Sequence, residues 1–315
     1  MKSNHSNISS VKPNLFLVGA PKAGTTSIDR LLRKHQDVFL SPIKEPCYFC
    51  NDINKQIRKE YLRQEPAINL EDYLSQKEKK LIHLYIINNE KQYIRLFAGS
   101  NKSVVGECST FYLSSKTAAS NIYDYNKNSK IIAVLRDPAQ RIRSHYDMDR
   151  RIGITDKPII DLLNEELELG EKASLENSRY YIGLSKYKEQ LDRYYSYFRE
   201  DQIHIVQFEK LLKNQEKEIK RLFDFVDIEY NSAIHSLTKE NKTEAVRFNK
   251  LNYYIYKTGY KPLIIKILQN ILPITARRII KSVYFESDKK SYVNKEEMLE
   301  INNIVLQQGL NDIIT

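Results

Sequence analysis

At 315 residues, with 41% hydrophobic and 29% charged positions, the chain has the make-up of a soluble globular protein, one large α/β domain or two small ones. Its 50 Lys and Arg against 40 Asp and Glu leave a formal charge of +10, which suits an anionic ligand, although scattered charges are also what a solvated basic exterior looks like. No run of about 18 apolar residues is present, which argues against a membrane span. Three cysteines cannot build a disulfide framework.

Residues 1–13 read as a flexible tail, and residues 14–315 as a single domain. Met1–Ser10 is polar and lacks an apolar signal segment, so the expectation is a cytoplasmic, reduced protein. Leu15-Phe16-Leu17-Val18 then reads as a buried strand, and Ile28–Arg33 carries apolar residues at helical spacing. Between them lies Gly19-Ala20-Pro21-Lys22-Ala23-Gly24-Thr25-Thr26-Ser27. Strand, glycine turn and helix is the geometry that holds phosphate: glycines let the backbone curl, and the helix start offers N–H groups and a positive dipole end. The two glycines keep the Walker spacing, but Thr25 stands where the lysine belongs and the lysine comes earlier, at Lys22. That shift argues against an ordinary nucleotide triphosphatase. A tight turn without a ligand is the plainer alternative, and the strand and helix flanks weigh against it.

Ser41-Pro42-Ile43-Lys44-Glu45-Pro46-Cys47-Tyr48-Phe49 follows as a loop whose prolines would hold Glu45 rigidly. Position comes before a tuned pKa in a general base. Cys47 and Cys50 have redox-motif spacing, but they read as two incidental thiols, and no metal is expected. Residues 51–98 are charged and helix-patterned. Strands are expected at Ser103–Gly106, Lys130–Leu135 and Gln202–Val206, and helices at Ala139–Arg151, Ile159–Leu169, Ser185–Phe198 and Glu209–Phe225. Such alternation predicts an α/β, P-loop-like three-layer fold with a central, mainly parallel sheet flanked by helices and a helical C-terminal third. Its ligand site lies beyond the carboxyl ends of the strands. At one such end stands Arg136-Asp137-Pro138, with Ser144 two helical turns on. An arginine fork plus a hydroxyl can clamp a second phosphate.

Together these segments resemble the sulfotransferases that use 3′-phosphoadenosine 5′-phosphosulfate (PAPS), in particular the heparan-sulfate-like and bacterial carbohydrate branch. The resemblance runs from Leu15 to about Phe225. It implies that Lys22, Ala23, Gly24, Thr25, Thr26 and Ser27 bind the 5′-phosphosulfate. It further implies that Arg136 and Ser144 bind the 3′-phosphate, and that Glu45, in Lys44-Glu45-Pro46, is the catalytic base. Gly106–Leu113 resembles a segment lining the cleft, and Tyr181–Tyr187 a stretch that closes near the adenine, with Tyr187 among the donor contacts. Gln36, Cys108 and the absent C-terminal Trp depart from the family pattern, the last leaving the acceptor side undefined. His35 and His145 read as structural.

The resemblance thus implies PAPS as co-substrate, PAP as product, no metal, and in-line transfer of a sulfuryl group to a hydroxyl. Lys22 would share in catalysis by stabilising charge on the departing phosphate. The expected acceptor is a saccharide or glycolipid. A nucleotide-dependent kinase is the alternative. Nucleic acid is not expected as a partner, because Tyr194, Tyr195 and Tyr197 belong to an amphipathic helical stretch. Residues 261–285 combine apolar runs with Arg277, Arg278 and Lys281, and read either as a packed helical layer or as a peripheral membrane contact.

Overall fold

The structure is a computed structural model that describes residues 11–55, 68–230, 245–258, 272–273, 275–276, 284–286 and 291–312. Most of the expected tail, and most of 261–285, lie outside the described residues. The described chain forms two compact units, one from Met1–Asp137 and Lys186–Thr238, the other from Pro138–Ser185 and Lys239–Ile313.

The first unit is built on a five-stranded sheet. Its strands are β1 (Leu15–Gly19), β2 (Val38–Leu40), β5 (Val104–Cys108), β6 (Lys130–Leu135) and β7 (Ile203–Gln207), while β3 (Ile43–Glu45) and β4 (Ile82–Leu84) pair separately. The order is β2-β5-β1-β6-β7 and every pairing is parallel. β1 is central and buried along its whole length, which is why it reads as a continuous apolar run rather than an alternating one. From β1 the chain goes first to one side of the sheet and later to the other, so the crevice beyond its carboxyl end is a switch point. The ladder between β1 and β6 slips between Leu17 and Gly19, at the point where the strand turns into the loop.

Helix α1 (Thr25–Arg33) packs on β1 and β2, burying Ile28, Leu31 and Leu32. The expected helix over Glu209–Phe225 is two, Phe208–Lys213 and Gln215–Val226, broken at Asn214. Tyr194 is core, whereas Tyr195 and Tyr197 are exposed.

In the second unit the helices Pro138–Ile152, Ile159–Leu169 and Lys295–Gln307 share a core that includes Ile142, Leu163 and Ile301. Pro138 is the first helical residue, where its missing N–H costs nothing. A buried polar network ties this core to the 178–185 segment. Arg141 donates to Ser185 Oγ at 2.6 Å and to the Tyr181 carbonyl, while Asp149 accepts from the Tyr181 hydroxyl at 2.7 Å.

Candidate active site

The loop after β1 is shaped by backbone conformation. Lys22 and Gly24 have φ of +68° and +98°. At Gly24 a Cβ would stand 2.4 Å from the Phe208 ring, so glycine is required by space as well as by conformation. Gly24 is the N-cap of α1, and no side chain caps the helix there. The first turn of α1 thus has no side chain capping its backbone N–H groups.

Arg136, directly after β6, donates to the Lys22 carbonyl at 3.2 Å, and its guanidinium lies 5.2 Å from the centre of the Phe208 ring. Phe208 thus braces both Gly24 and Arg136. Sequence reasoning missed it, because an aromatic opening a helix reads as ordinary core. Asp137 donates its backbone N–H to Glu209 at 3.2 Å, which holds the β6 exit against the same helix.

Glu45 lies not in a loop but at the end of β3, paired in parallel with β4. Three-residue strands show too little alternation to be read from sequence. α1 supports this strand through Arg33, which bonds Asp29 at 2.8 Å and donates to the carbonyls of Leu40 (2.9 Å) and Ser41 (2.7 Å). The turn into β3 is thereby pinned to the helix that follows the glycine loop.

The two Glu45 oxygens have different partners. Oε2 accepts from the Thr110 hydroxyl at 2.9 Å, and Oε1 accepts from Lys44 Nζ at 3.1 Å. Both Lys44 and Glu45 are buried. Burial works against the Glu45 charge, but Lys44, His83 and the Thr110 hydroxyl outweigh it and hold the carboxyl below its ordinary value. Burial likewise opposes the Lys44 ammonium, and its anionic surroundings, Glu45 and Asp29 among them, still keep it raised. Glu45 is therefore an anion at neutral pH.

Thr110 links the carboxylate to the loop. Its carbonyl lies 2.7 Å from where a Gly19 Cβ would stand, and Leu113 N–H bonds the Val18 carbonyl at 2.8 Å. One residue thus touches both the first loop glycine and Glu45.

Behind it sits a second buried carboxyl, Glu107. It accepts from Ser109 (2.6 Å), Tyr112 (2.7 Å) and Tyr93 (2.9 Å), and Ser109 in turn accepts from the Cys47 N–H at 3.0 Å. This network fixes the chain after Pro46 and explains why the 106–113 segment belongs with the site. Burial pushes Glu107 up to about 7, the three hydroxyls opposing. A carboxyl raised in the native state keeps its proton while the unfolded chain loses it, so this group's stabilisation is complete below about 4.5 and is lost as pH rises to about 7. Glu107→Gln is expected to flatten the stability decline over that window by up to roughly 3 kcal/mol. Urea unfolding of both proteins at several pH values measures it. Parallel pH profiles would show that Glu107 titrates normally.

His35 accepts the Asp37 N–H at 3.2 Å, lies 2.9 Å from the Glu229 carbonyl and packs edge-on against Phe223, a structural role. His145, in the second unit, packs edge-on against Tyr181. The histidine near Glu45 is His83 on β4, with Nε2 4.0 Å from Oε1. Of the remaining expected residues, Thr25 is buried at the start of α1, Ala23 is buried in the loop, and Thr26 and Ser27 are half-buried. Tyr187 is buried at the start of the helix Tyr187–Tyr195. Ser144 is half-buried in the helix Pro138–Ile152 of the second unit. Cys47, Cys50 and Cys108 are free thiols in the core.

Residues 12–261 match the sulfotransferase domain. The chain belongs to that family. Its fold is the α/β fold with a central parallel sheet flanked by helices that such domains have. A sulfotransferase from Alicyclobacillus acidocaldarius has the same fold, with a TM-score of 0.57, 25% identity, and coverage of 85% of this chain and 99% of that one. Carbohydrate sulfotransferase 15 of Mus musculus is 24% identical over 69% of this chain and 44% of its own length. The membrane-associated sulfotransferase kil1 of Dictyostelium discoideum is 30% identical over 42% of this chain and 22% of its own. The chain therefore spans less than half the length of these two curated relatives. Among the described residues no helix is long and apolar enough to cross a membrane.

Proposed function

We propose that this sulfotransferase sulfates a hydroxyl of a carbohydrate or glycolipid, with Glu45 as the general base. The observation that carries the reading is Thr110, whose hydroxyl bonds Glu45 while its carbonyl abuts Gly19 of the anion loop. A base tied to the donor loop through one residue is placed for an acceptor oxygen attacking at the loop. The carbohydrate acceptor is supported by the similarity to carbohydrate sulfotransferase 15.

The left-handed Lys22 and Gly24 and the uncapped helix start fit a phosphosulfate. When bound, PAPS supplies an activated sulfuryl group. Lys22 and the N–H groups from Gly24 to Ser27 oppose the charge that develops on the departing phosphate. Arg136, braced by Phe208 and the Lys22 carbonyl, holds the 3′-phosphate. Ser144 and Tyr187 enter this reading from their motifs alone. The family match covers residues of both units, which supports one functional domain over 14–315. Three unpaired thiols support a reducing, cytoplasmic setting. A peripheral membrane contact through 261–285 remains a proposal from its sequence pattern.

PAP and PAPS are expected to raise the melting temperature far more than ATP at equal concentration, because ATP lacks a 3′-phosphate for Arg136. Equal shifts with ATP would favour a nucleotide-dependent kinase.

A further inference from the structure

Among the described residues His83 is the one histidine placed beside the carboxylate assigned as base, and no motif points to it. β3 and β4 run in parallel with Glu45 opposite Leu84 and Ile43 opposite Ile82. His83 lies between those pairs, and its Nε2 is 4.0 Å from Glu45 Oε1. The two side chains differ sharply in access to water: the His83 side chain is 67% exposed, that of Glu45 9%.

That contrast creates a problem and its answer. Each turnover leaves Glu45 with the acceptor's proton, in a pocket closed on one oxygen by Thr110 and on the other by Lys44. The carboxyl must shed this proton before the next cycle, and little of its surface meets water. We infer that His83 relays the proton from Glu45 to solvent, an inference that rests on Glu45 being the base.

The acceptor oxygen bonds sulfur while the sulfur–phosphate oxygen bond breaks, its electron pair leaving with PAP. The hydroxyl proton passes to Glu45 Oε1, then to the lone pair on His83 Nε2 of an Nδ1–H ring, and a proton leaves His83 for water. The charged groups close enough to act on His83 are Glu45 and Lys44 on β3, Asp29 on α1 and Lys22 on the loop after β1. Glu45 and Asp29 favour the charged ring, and Lys44 and Lys22 disfavour it. In its neutral form the ring accepts through the Nε2 lone pair that lies toward Oε1. Closing 4.0 Å to a hydrogen bond takes only a small side-chain movement, of the kind that catalytic contacts make when substrate binds.

The test pairs an acceptor-free measurement with kinetics. Ring ¹⁵N NMR follows the His83 titration in the wild type and in Glu45→Gln. Since Glu45 favours the charged ring, its removal lowers the His83 titration point, and an unmoved titration overturns the pairing. Turnover is then measured with labelled PAPS and a panel of p-nitrophenyl hexopyranosides, using the best acceptor. His83→Ala is expected to lower kcat at least about tenfold with acceptor KM nearly unchanged. It should also lose the acid limb of the kcat profile, and added imidazole should restore its rate but not that of Glu45→Gln. A retained PAP-induced melting shift shows that each variant is folded. A raised KM with intact kcat marks an acceptor contact and overturns the relay. Inactive Glu45→Gln beside a His83→Ala enzyme of wild-type rate at every pH sinks the relay alone, whereas an active Glu45→Gln sinks the base assignment itself.

Discussion

Replacing Glu45 with Gln is expected to lower turnover by about two to four orders of magnitude while PAP affinity stays nearly the same. The amide keeps the shape and can still accept from Thr110, but it cannot take the acceptor's proton. It also strips Lys44 of its nearest counter-charge. Breaking a buried pair costs about 3–5 kcal/mol in general, and here Asp29 remains to soften the loss. The variant should therefore melt earlier than the wild type, yet show the same upward shift with PAP. Single-turnover transfer from labelled PAPS, alongside calorimetry with PAP, separates the two effects. Near-normal turnover would show that Glu45 is not the base.

Arg136→Ala is the second large effect, and it falls on binding. A charge-assisted contact is worth about 1.5–3 kcal/mol, so PAP should bind roughly 10–150-fold more weakly. The structure adds a complication, because Arg136 also bonds the Lys22 carbonyl and lies on Phe208. Adenosine 5′-phosphosulfate, which has no 3′-phosphate, distinguishes the roles. Its affinity should be almost untouched if Arg136 reads the 3′-phosphate. An equal loss for both ligands would mean that Arg136 acts by shaping the loop.

What was legible in the sequence follows a physical pattern. β1, β6 and the loop between Gly19 and Ser27 are local features, each set by a buried apolar run or by glycines that neighbours demand. They stand where composition and spacing put them. Lys130–Leu135 and Ile159–Leu169 are found at the expected bounds for the same reason. β3, β4 and His83 were not legible. Their pairing joins residues far apart in the chain, and Leu81-Ile82-His83-Leu84-Tyr85 is too short an alternation to stand out from the charged helical stretch around it. The Glu107 network is equally non-local, with Tyr93, Ser109 and Tyr112 converging on one carboxyl. Its only trace in sequence was the 106–113 segment. Phe208 shows the same limit, since only the fold brings it against Gly24.

On the proposed function, this chain moves a sulfuryl group from PAPS to a sugar hydroxyl. Incubation of the protein with ³⁵S-labelled PAPS and a panel of unsulfated saccharides and glycolipids tests it most directly, with products separated and the label located. Label is expected in a sulfate ester on at least one saccharide, matched mole for mole by PAP, and abolished in Glu45→Gln. Label that is transferred only to non-carbohydrate acceptors, or transfer that survives in Glu45→Gln, would contradict it.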